Sequence, residues 1–382
     1  MILKLEPQTL ANEFSQLGIH PASEAIFLHK SEIVPLKILD IRTPAANIIK
    51  QEMLACGGDC AIPAGCVVCA EERVDVILLG TYKHYARLLE KLTQMPYFGM
   101  AGIKSELMAI LDAPIPQTIL ADGRTLNYDK MLVMGILNIT PDSFYAGSRV
   151  PQLEQVVEKA GEMLRQGAAV LDIGGESTRP GSDAVTADEE QKRVVPVIKA
   201  LKERYPACVI SIDTYRASTA EAALAAGADI INDVTAMEGD AAMSDLVVGS
   251  KVPIILMHMR GTPKNMQQNC EYKNVVTEVA AYLLQRAKVL ENRGVAKEKI
   301  IFDPGIGFAK NIEQNLQLMQ GLKSLTGLGY PVLLAASRKS TIGSVLGGIP
   351  AEERLEGTIA ARLCMQELKW YECMMYRKIC GL

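Results

Sequence analysis

The sequence predicts an α/β protein, with a TIM-type (β/α)8 barrel in residues 126–382 and a small α/β domain in residues 1–125. From about residue 130 onward, short apolar runs rich in Val and Ile alternate with helical stretches rich in Ala, Glu, Lys and Leu. The runs are apolar throughout, which is typical of parallel strands that are buried on both faces. Since about seven such units occur in roughly 240 residues, a barrel fits better than an open doubly wound sheet.

The barrel elements follow one another in the order of a repeated strand–helix unit. The predicted strands are 131–138, 168–175, 208–214, 228–234, 252–259, 299–305 and 331–337. Apolar residues at helical spacing predict intervening helices at 153–167, 217–227 and 274–293. We expect these strands to form one parallel sheet that is covered by the helices.

Residues 1–125 lack this regular alternation. Apolar residues at helical spacing predict helices within 47–58 and 83–95, and the run VDVILLG predicts a short buried strand at 74–80. The stretch 112–126 is rich in proline and turn residues, which predicts a linker. We expect the N-terminal segment to pack on the barrel or to serve in assembly, and assign it no catalytic role.

The composition is that of a soluble globular protein, with 49% hydrophobic and 22% charged residues. Lys and Arg number 40 against 44 Asp and Glu, giving a net charge of −4, which argues against a general nucleic-acid binder. No apolar run approaches the length of about 18 residues that a membrane helix needs. The N-terminal stretch MILKLEPQTL lacks the apolar core and cleavage site of a signal peptide. We therefore expect a cytoplasmic protein.

Four of the nine cysteines lie close together in the stretch CGGDCAIPAGCVVC, at Cys56, Cys60, Cys66 and Cys69. Their spacing is not a usual zinc pattern, although the last two form a C-x-x-C pair. We interpret them as incidental thiols of a reduced chain. The alternative is a metal-binding regulator, which would carry stoichiometric zinc.

Nearly every predicted barrel strand ends in a polar residue that could bind a ligand or take part in catalysis. These residues are Asn138, Asp172, Asp213, Asn232, His258, Asp303 and Ser337. The carboxyl ends of barrel strands meet at one rim, where active sites are built. The sequence therefore predicts an active site at this rim, and it predicts that Asn138 faces a ligand instead of merely ending its strand.

Taken in order, seven segments resemble the motif series of the dihydropteroate synthases. They are MGILNITPDSF (134–144), LDIGGESTRPGS (171–182), SIDT (211–214), GADIINDV (227–234), LMHMRGTPKNMQ (256–267), FDPGIGFAK (302–310) and SRKSTIG (337–343). The resemblance covers residues 131 to about 363 and implies a pterin-binding (β/α)8 barrel of folate synthesis. Members of this family join p-aminobenzoate to 6-hydroxymethyl-7,8-dihydropterin pyrophosphate and release pyrophosphate.

The resemblance implies a pterin site with one central carboxylate. Asp303 matches the aspartate that accepts hydrogen bonds from the pterin amino group and ring N–H, a charge-assisted and selective contact. Asn232 matches a second pterin contact, Asp213 lies toward the same ring system, and Lys339 meets its acceptor side. Met257 and Phe308 are candidates to cover the ring faces, although plain packing explains Met257 equally well.

The resemblance also implies the groups that act on the other substrates. Asn138 matches the position that contacts Mg²⁺ and the pyrophosphate, and Asp213 is expected to stabilise a cationic pterin methylene. Thr178 and Arg179 match a loop that closes over p-aminobenzoate and pyrophosphate. Ser337 is expected to contact the p-aminobenzoate carboxylate or to act as local scaffold. The catalytic residues are thus expected to be Asn138, Asp213, Lys339 and Arg179, whereas His258 is expected to be structural.

The end of the chain departs from the family. Family members continue into an eighth strand that ends Arg-x-His-Asp, whose Arg and His bind the leaving pyrophosphate and cap the pterin. Here the sequence reads ELKWYECMMYRKICGL, with no histidine after His258. We interpret this tail as the result of a frameshift near residue 363, which leaves the eighth strand atypical or missing. The alternative is a genuine but divergent eighth strand at 370–376, with Arg377 as the anion contact.

Two other functions remain open at this point. A pterin-dependent methyltransferase would use a similar barrel and pterin contacts, but the STRPG and SRKS segments favour a synthase. A catalytically impaired pterin-binding protein, which the altered tail suggests, would bind pterin and release no pyrophosphate. The family implies a homodimer with small-molecule substrates and neither nucleic-acid nor membrane partners.

Overall fold

The computed structural model of the chain describes residues 5, 9–112, 114–139, 149–176, 185–261, 266, 270–364 and 370–373. The chain divides into two compact units, Met1–Ala113 and Pro114–Leu382. Residues 114–125, which the sequence assigned to the N-terminal domain, belong to the second unit in this division.

The N-terminal unit is a small α/β arrangement around a three-stranded antiparallel sheet with strand order β1-β3-β2. Its elements are α1 (Leu10–Gln16), α2 (Pro21–Ser31), β1 (Val34–Arg42), α3 (Thr43–Ala55), β2 (Asp59–Ala61), a 3-10 helix (Ala64–Val68), β3 (Arg73–Gly80), α4 (Tyr82–Leu92) and α5 (Met100–Leu111). Side chains of β3 alternate between buried and exposed, so Val74, Val76 and Leu78 pack into a core with α3 and α4. The predicted strand and both predicted helices are confirmed.

The clustered cysteines belong to this core. Cys56, Cys60 and Cys66 are buried, whereas Cys69 is exposed. Burial raises the pKa of the Cys60 thiol to about 11 and also raises the pKa of Cys66, which disfavours the thiolate that a metal requires. In the part of the chain that the structure describes, which includes all four cysteines, no group of three or more His, Cys, Asp or Glu side chains could hold a metal. The interpretation as incidental thiols stays a prediction.

The stretch predicted as a linker contains a β-hairpin, so that prediction was wrong. Strands β4 (Gln117–Ile119) and β5 (Thr125–Asn127) pair in antiparallel fashion, and Gly123 turns the chain with a φ of +88°. Leu120 and Tyr128 pack against the innermost residues of the barrel. The turn residues that suggested a linker instead reverse the chain, and the apolar residues between them enter the core.

The rest of the second unit consists of strands that alternate with helices. Its strands are β6 (Leu132–Asn138), β7 (Val170–Gly174), β8 (Val209–Asp213), β9 (Ile230–Asp233), β10 (Ile254–Met257), β11 (Ile300–Asp303) and β12 (Trp370–Cys373). Its helices are α6 (Arg149–Arg165), α7 (Ala187–Arg204), α8 (Ala217–Ala225), α9 (Met243–Ser250), α10 (Val275–Glu291), α11 (Ile312–Gln320), α12 (Leu322–Thr326), α13 (Ser340–Val345) and α14 (Leu355–Cys364). Among these residues, no helix has the length and apolarity to cross a membrane.

The seven strands form one parallel sheet with the order β11-β10-β9-β8-β7-β6-β12. The seventh predicted strand, 331–337, is reduced to a parallel bridge between Val332 and Phe302 of β11. One residue from each of β6 to β11, together with Leu333, packs into a single interior cluster. The sheet therefore curls around a common core, and its inward-facing residues are in reach of one another, as the predicted barrel requires.

The tail contributes a strand next to β6. Residues Trp370–Cys373 pair in parallel with Leu132–Gly135. This pairing fits the alternative of a divergent eighth strand at 370–376 better than a missing strand. The frameshift that we inferred for the origin of the tail stays a prediction, and Arg377 lies outside the described residues.

Candidate active site

The carboxyl ends of four neighbouring strands bring polar side chains into one row. In the register of the sheet, Asn138 is paired with Gly174, Gly174 with Asp213, and Asp213 with Asn232. Residues opposite each other in neighbouring parallel strands point to the same face of a sheet. The predicted convergence of Asn138, Asp213 and Asn232 is therefore a consequence of the register.

Gly174 leaves open a space between two of these side chains. A Cβ atom at Gly174 would lie 3.3 Å from Oδ2 of Asp213 and 3.4 Å from Oδ1 of Asn138. The two oxygens thus face each other across the glycine at the rim, where Asn138 is exposed and Asp213 half-buried. A methyl group here would crowd both oxygens, so glycine keeps this part of the rim open to a ligand.

A second carboxylate, Asp172, lies below this row in the barrel interior. Asn232 donates a hydrogen bond from Nδ2 to Oδ2 of Asp172 at 3.2 Å, and both residues are buried. The pKa of Asp172 is raised to about 6, first because burial penalises the charged carboxylate and also because the charge of Asp303 is near. The sequence pattern named Asp172 as a strand-end residue but gave it no role. The signal that it belongs to the site was an aspartate within an otherwise apolar run.

Asp303 is positioned by the turn that follows β11. Its Oδ1 accepts a hydrogen bond from the backbone N–H of Gly305 at 2.7 Å, and the carboxyl group is buried. Gly305 has a φ of +68°, and a Cβ on it would lie 2.1 Å from the carbonyl oxygen of His258. Only glycine fits this close approach. Burial raises the pKa of Asp303, while Lys339, the N–H of Gly305 and Lys310 act to lower it.

Lys339 reaches the same turn from the next segment of the barrel. Its Nζ donates to the carbonyl oxygen of Ile306 at 2.7 Å and lies 4.8 Å from the centre of the Phe308 ring. The preceding Arg338 has a φ of +52°, an unfavourable conformation for arginine. The backbone N–H of Arg338 donates to the hydroxyl of Thr358, and the carbonyl oxygen of Arg338 accepts from the guanidinium of Arg354. These two hydrogen bonds hold the conformation.

The remaining predicted residues divide into two groups. Met257 is buried opposite Asp303 in the register, and its Cγ would be 3.3 Å from a Cβ on Gly305, so it lies beside the pocket. Ser337 is also buried, and its hydroxyl has no hydrogen-bond partner among the described residues. Thr178 and Arg179 lie outside the described residues.

His258 and Lys310 form a buried pair behind Asp303. Lys310 donates to Nδ1 of His258 at 3.0 Å, and the ring of Tyr282 meets the imidazole edge to face with centroids 5.0 Å apart. Burial and the charge of Lys310 lower the pKa of His258 to about 3, so the imidazole is neutral and accepts a hydrogen bond from Lys310. These contacts are those expected of a structural histidine. Lys310 is a buried cation that the sequence analysis missed, because one lysine after GIGFA gives no signal of burial.

The site as a whole is a polar pocket in an apolar barrel. Asp172, Asp303 and Asn232 offer acceptors and an amide in its depth, and Lys339 offers a cation beside them. Asp213 and Asn138 place oxygens at the exposed rim. These groups can accept hydrogen bonds from a heterocycle that carries several N–H donors.

Comparison with known proteins agrees with this chemistry. A sequence profile of the family described as "Pterin binding enzyme" matches residues 134–367, more than half of the chain. The dihydropteroate synthase of Clostridium beijerinckii is 46% identical over 232 residues, which are 61% of this chain and 83% of that protein. The solved structure of dihydropteroate synthase from Xanthomonas albilineans in complex with 7,8-dihydropteroate is 37% identical, with a TM-score of 0.60, and the match covers 68% of this chain and 93% of that one.

One further relative matches a larger part of the chain. The "Probable bifunctional folylpolyglutamate synthase/dihydropteroate synthase" of Haloferax volcanii is 36% identical over 327 residues, which cover 82% of this chain and 38% of that protein. This share exceeds the second unit alone, so the similarity extends into the N-terminal unit. Together, the matched profile and these relatives show that the chain belongs to the family of pterin-binding enzymes that includes the dihydropteroate synthases.

Proposed function

We propose that this chain is a dihydropteroate synthase, which joins p-aminobenzoate to 6-hydroxymethyl-7,8-dihydropterin pyrophosphate and releases pyrophosphate. The observation that carries the proposal is the buried Asp303 carboxylate, held by Gly305 with the cation of Lys339 close by. The similarity to synthases, one of them bound to 7,8-dihydropteroate, favours this reaction over methyl transfer and over binding alone.

The pterin binds in the depth of the barrel. Asp303 accepts hydrogen bonds from the pterin amino group and the adjacent ring N–H, which together match a carboxylate better than an amide. Asn232, oriented by its hydrogen bond to Asp172, reaches the same edge of the ring. Lys339 donates to the acceptor side, while Met257 and Phe308 cover the ring faces. The positive and negative side chains thus compensate each other in a site where water is largely excluded.

The bond to the leaving pyrophosphate breaks at the rim. As the pyrophosphate leaves, positive charge develops on the pterin methylene, and the carboxylate of Asp213 lies on the side of the rim where it stabilises that charge. The arylamine of p-aminobenzoate is already a nucleophile, so the reaction needs no strong general base. His258, with a pKa lowered to about 3 and its Nδ1 bound to Lys310, is too weak a base for such a role.

The rim also offers oxygens for a magnesium ion. Oδ1 of Asn138 and Oδ2 of Asp213 face each other across Gly174, and such hard oxygen donors suit Mg²⁺. An ion held by these two oxygens would take its remaining ligands from water and a substrate phosphate, as Mg²⁺ usually does. When bound, Mg²⁺ would spread the negative charge that develops on the departing pyrophosphate. Thr178, Arg179 and Ser337 are proposed contacts of pyrophosphate and p-aminobenzoate.

We also propose that the chain works in the cytoplasm as a homodimer, as the resemblance to the family suggests. Its substrates are small, charged and soluble. Light scattering behind a size-exclusion column measures the mass of the particle. A mass of one 41.5 kDa chain would contradict the dimer.

The test of the proposed function is pyrophosphate release by the purified chain with the pterin pyrophosphate and Mg²⁺, with and without p-aminobenzoate. We expect release that depends on p-aminobenzoate. The absence of release from a folded chain that still binds the pterin would favour the impaired pterin-binding protein instead.

A further inference from the structure

Lys310 is a buried cation that makes no proposed contact with a substrate. The residue is only 2% exposed, and a buried ammonium is unfavourable unless it is hydrogen-bonded. Its Nζ donates to the carbonyl oxygens of Phe308 at 2.8 Å and of Gly305 at 3.0 Å. It also lies 3.0 Å from Nδ1 and 3.3 Å from the carbonyl oxygen of His258. Lys310 therefore joins the turn after β11 to the end of β10.

The turn that Lys310 holds, residues 305–308, is also the turn that builds the pterin pocket. The N–H of Gly305 binds the carboxylate of Asp303, and the carbonyl oxygen of Ile306 binds Lys339. The ring of Phe308 lies under the ammonium of Lys339. A displacement of this turn would move both the proposed acceptor and the proposed donor of the pterin.

The close approach of two backbone segments explains why a cation is needed. The carbonyl group of His258 lies so near Gly305 that a Cβ there would be 2.1 Å from its oxygen. The carbonyl oxygens of His258 and Gly305 both accept from Lys310. The partial negative charges of these two buried carbonyl oxygens are stabilised by the ammonium group of Lys310.

Lys310 also acts on Asp303 through its charge. The charges of Lys339 and Lys310 act on Asp303, the charge of Asp303 acts on Asp172, and His258 is neutral. Burial lowers the pKa of Lys310 to about 7, although the nearby Asp303 opposes that decrease, so the charge of Lys310 acts on Asp303 mainly below about pH 7. Removing Lys310 would leave Lys339 as the neighbouring cation that favours an ionised Asp303.

We infer that Lys310 is a positioning residue of the pterin site: its ammonium fixes the turn 305–308, orients Asp303 and Lys339 through that turn, and favours the ionised form of Asp303. The inference rests on the proposed function, because it gives Lys310 a task in the pocket that this function requires.

The test uses the full chain with Lys310→Met, which keeps the length of the side chain, and Lys310→Gln, which keeps donors without the charge. Lys297→Met is the matched control, because Lys297 also donates to a backbone carbonyl, that of Leu328, but lies before β11. Calorimetry measures the affinity for 6-hydroxymethyl-7,8-dihydropterin from pH 5 to 9, and steady-state kinetics gives the KM for p-aminobenzoate.

We expect Lys310→Met to weaken pterin binding by about 30-fold, because buried acceptors lose a charged donor. The KM for p-aminobenzoate should stay within about twofold, because the turn 305–308 holds the pterin contacts Asp303 and Lys339. The loss of pterin affinity at acid pH should move to higher pH, because Asp303 protonates more readily without the nearby cation. A merely structural role would not produce this shift. Lys310→Gln should regain part of the affinity and keep the shifted pH dependence, and Lys297→Met should match the unmodified chain.

Wild-type affinity and pH dependence in folded Lys310→Met would overturn the inference. If that variant does not fold, the same result in Lys310→Gln overturns it. An unmodified chain that binds no pterin would instead refute the proposed function, and the assignment of Lys310 with it.

Discussion

Gly174→Ala tests the geometry of the rim with the smallest available change. The added methyl group would lie 3.3 Å from Oδ2 of Asp213 and 3.4 Å from Oδ1 of Asn138, so each oxygen must yield by a few tenths of an ångström. A misplacement of about 1 Å can slow catalysis about 100-fold, so we expect kcat to fall on the order of 10-fold or more. The unfolding free energy should change by no more than about 1 kcal/mol, because alanine reduces the freedom of the unfolded chain.

The assay is steady-state pyrophosphate release together with thermal unfolding of the same preparations. Gly135→Ala is the matched control on β6, since its methyl group would meet Sδ of Met163 at 2.9 Å in the packing against α6, away from the rim. This control should lose about 1–2 kcal/mol of stability and keep its kcat. If Gly174→Ala turns over as fast as the unmodified chain, the oxygens of Asn138 and Asp213 do not act together on the reacting groups.

Three further predictions concern the polar residues of the pocket. Asn138→Ala should lower kcat about 10-fold or more while the pterin Kd stays within about threefold, because Asn138 lies at the rim and not at the pterin edge; an unchanged kcat would contradict its role. Asp303→Asn should weaken pterin binding about 100-fold in calorimetry, because an amide cannot accept from both pterin donors. The control Asp233→Asn should mainly lose stability, since the Asp233 carboxylate accepts hydrogen bonds from the nearby Thr235 and Met237. The pKa of Asp172 is raised to about 6 in the folded state. Between about pH 4 and 6 the folded chain therefore still holds a proton on this carboxyl group, whereas the unfolded chain has already released it. Its contribution to the unfolding free energy should therefore fall as the pH rises through this window, and denaturant titrations of Asp172→Asn should lack that decrease.

The repeated strand–helix unit was predictable because parallel strands buried on both faces leave continuous apolar runs. The strand ends were predictable for the same reason, since polar residues such as Asn138 and Asp303 interrupt those runs. The hairpin at 117–127 was not, because proline and turn residues look alike in a linker and in a tight reversal of the chain. Its place in the core depends on Leu120 and Tyr128 meeting residues far away in sequence.

The pocket was predicted less completely than the fold. Sequence spacing placed Asn138, Asp213 and Asn232 at strand ends, but only the register of the sheet shows that they lie opposite one another. The role of Asp172 depends on its depth in the barrel, which the end of a strand does not reveal. Lys310 depends on a turn that returns toward β10, a contact that no local pattern encodes.

The most direct test of the proposed synthase is product identification by mass spectrometry, with the full 382-residue chain, the pterin pyrophosphate, p-aminobenzoate and Mg²⁺. We predict 7,8-dihydropteroate and pyrophosphate in equal amounts, with the new bond at the amino nitrogen of p-aminobenzoate. Pterin binding without any pteroate, or pyrophosphate release without a joined product, would contradict the assignment of this pocket to the synthase reaction.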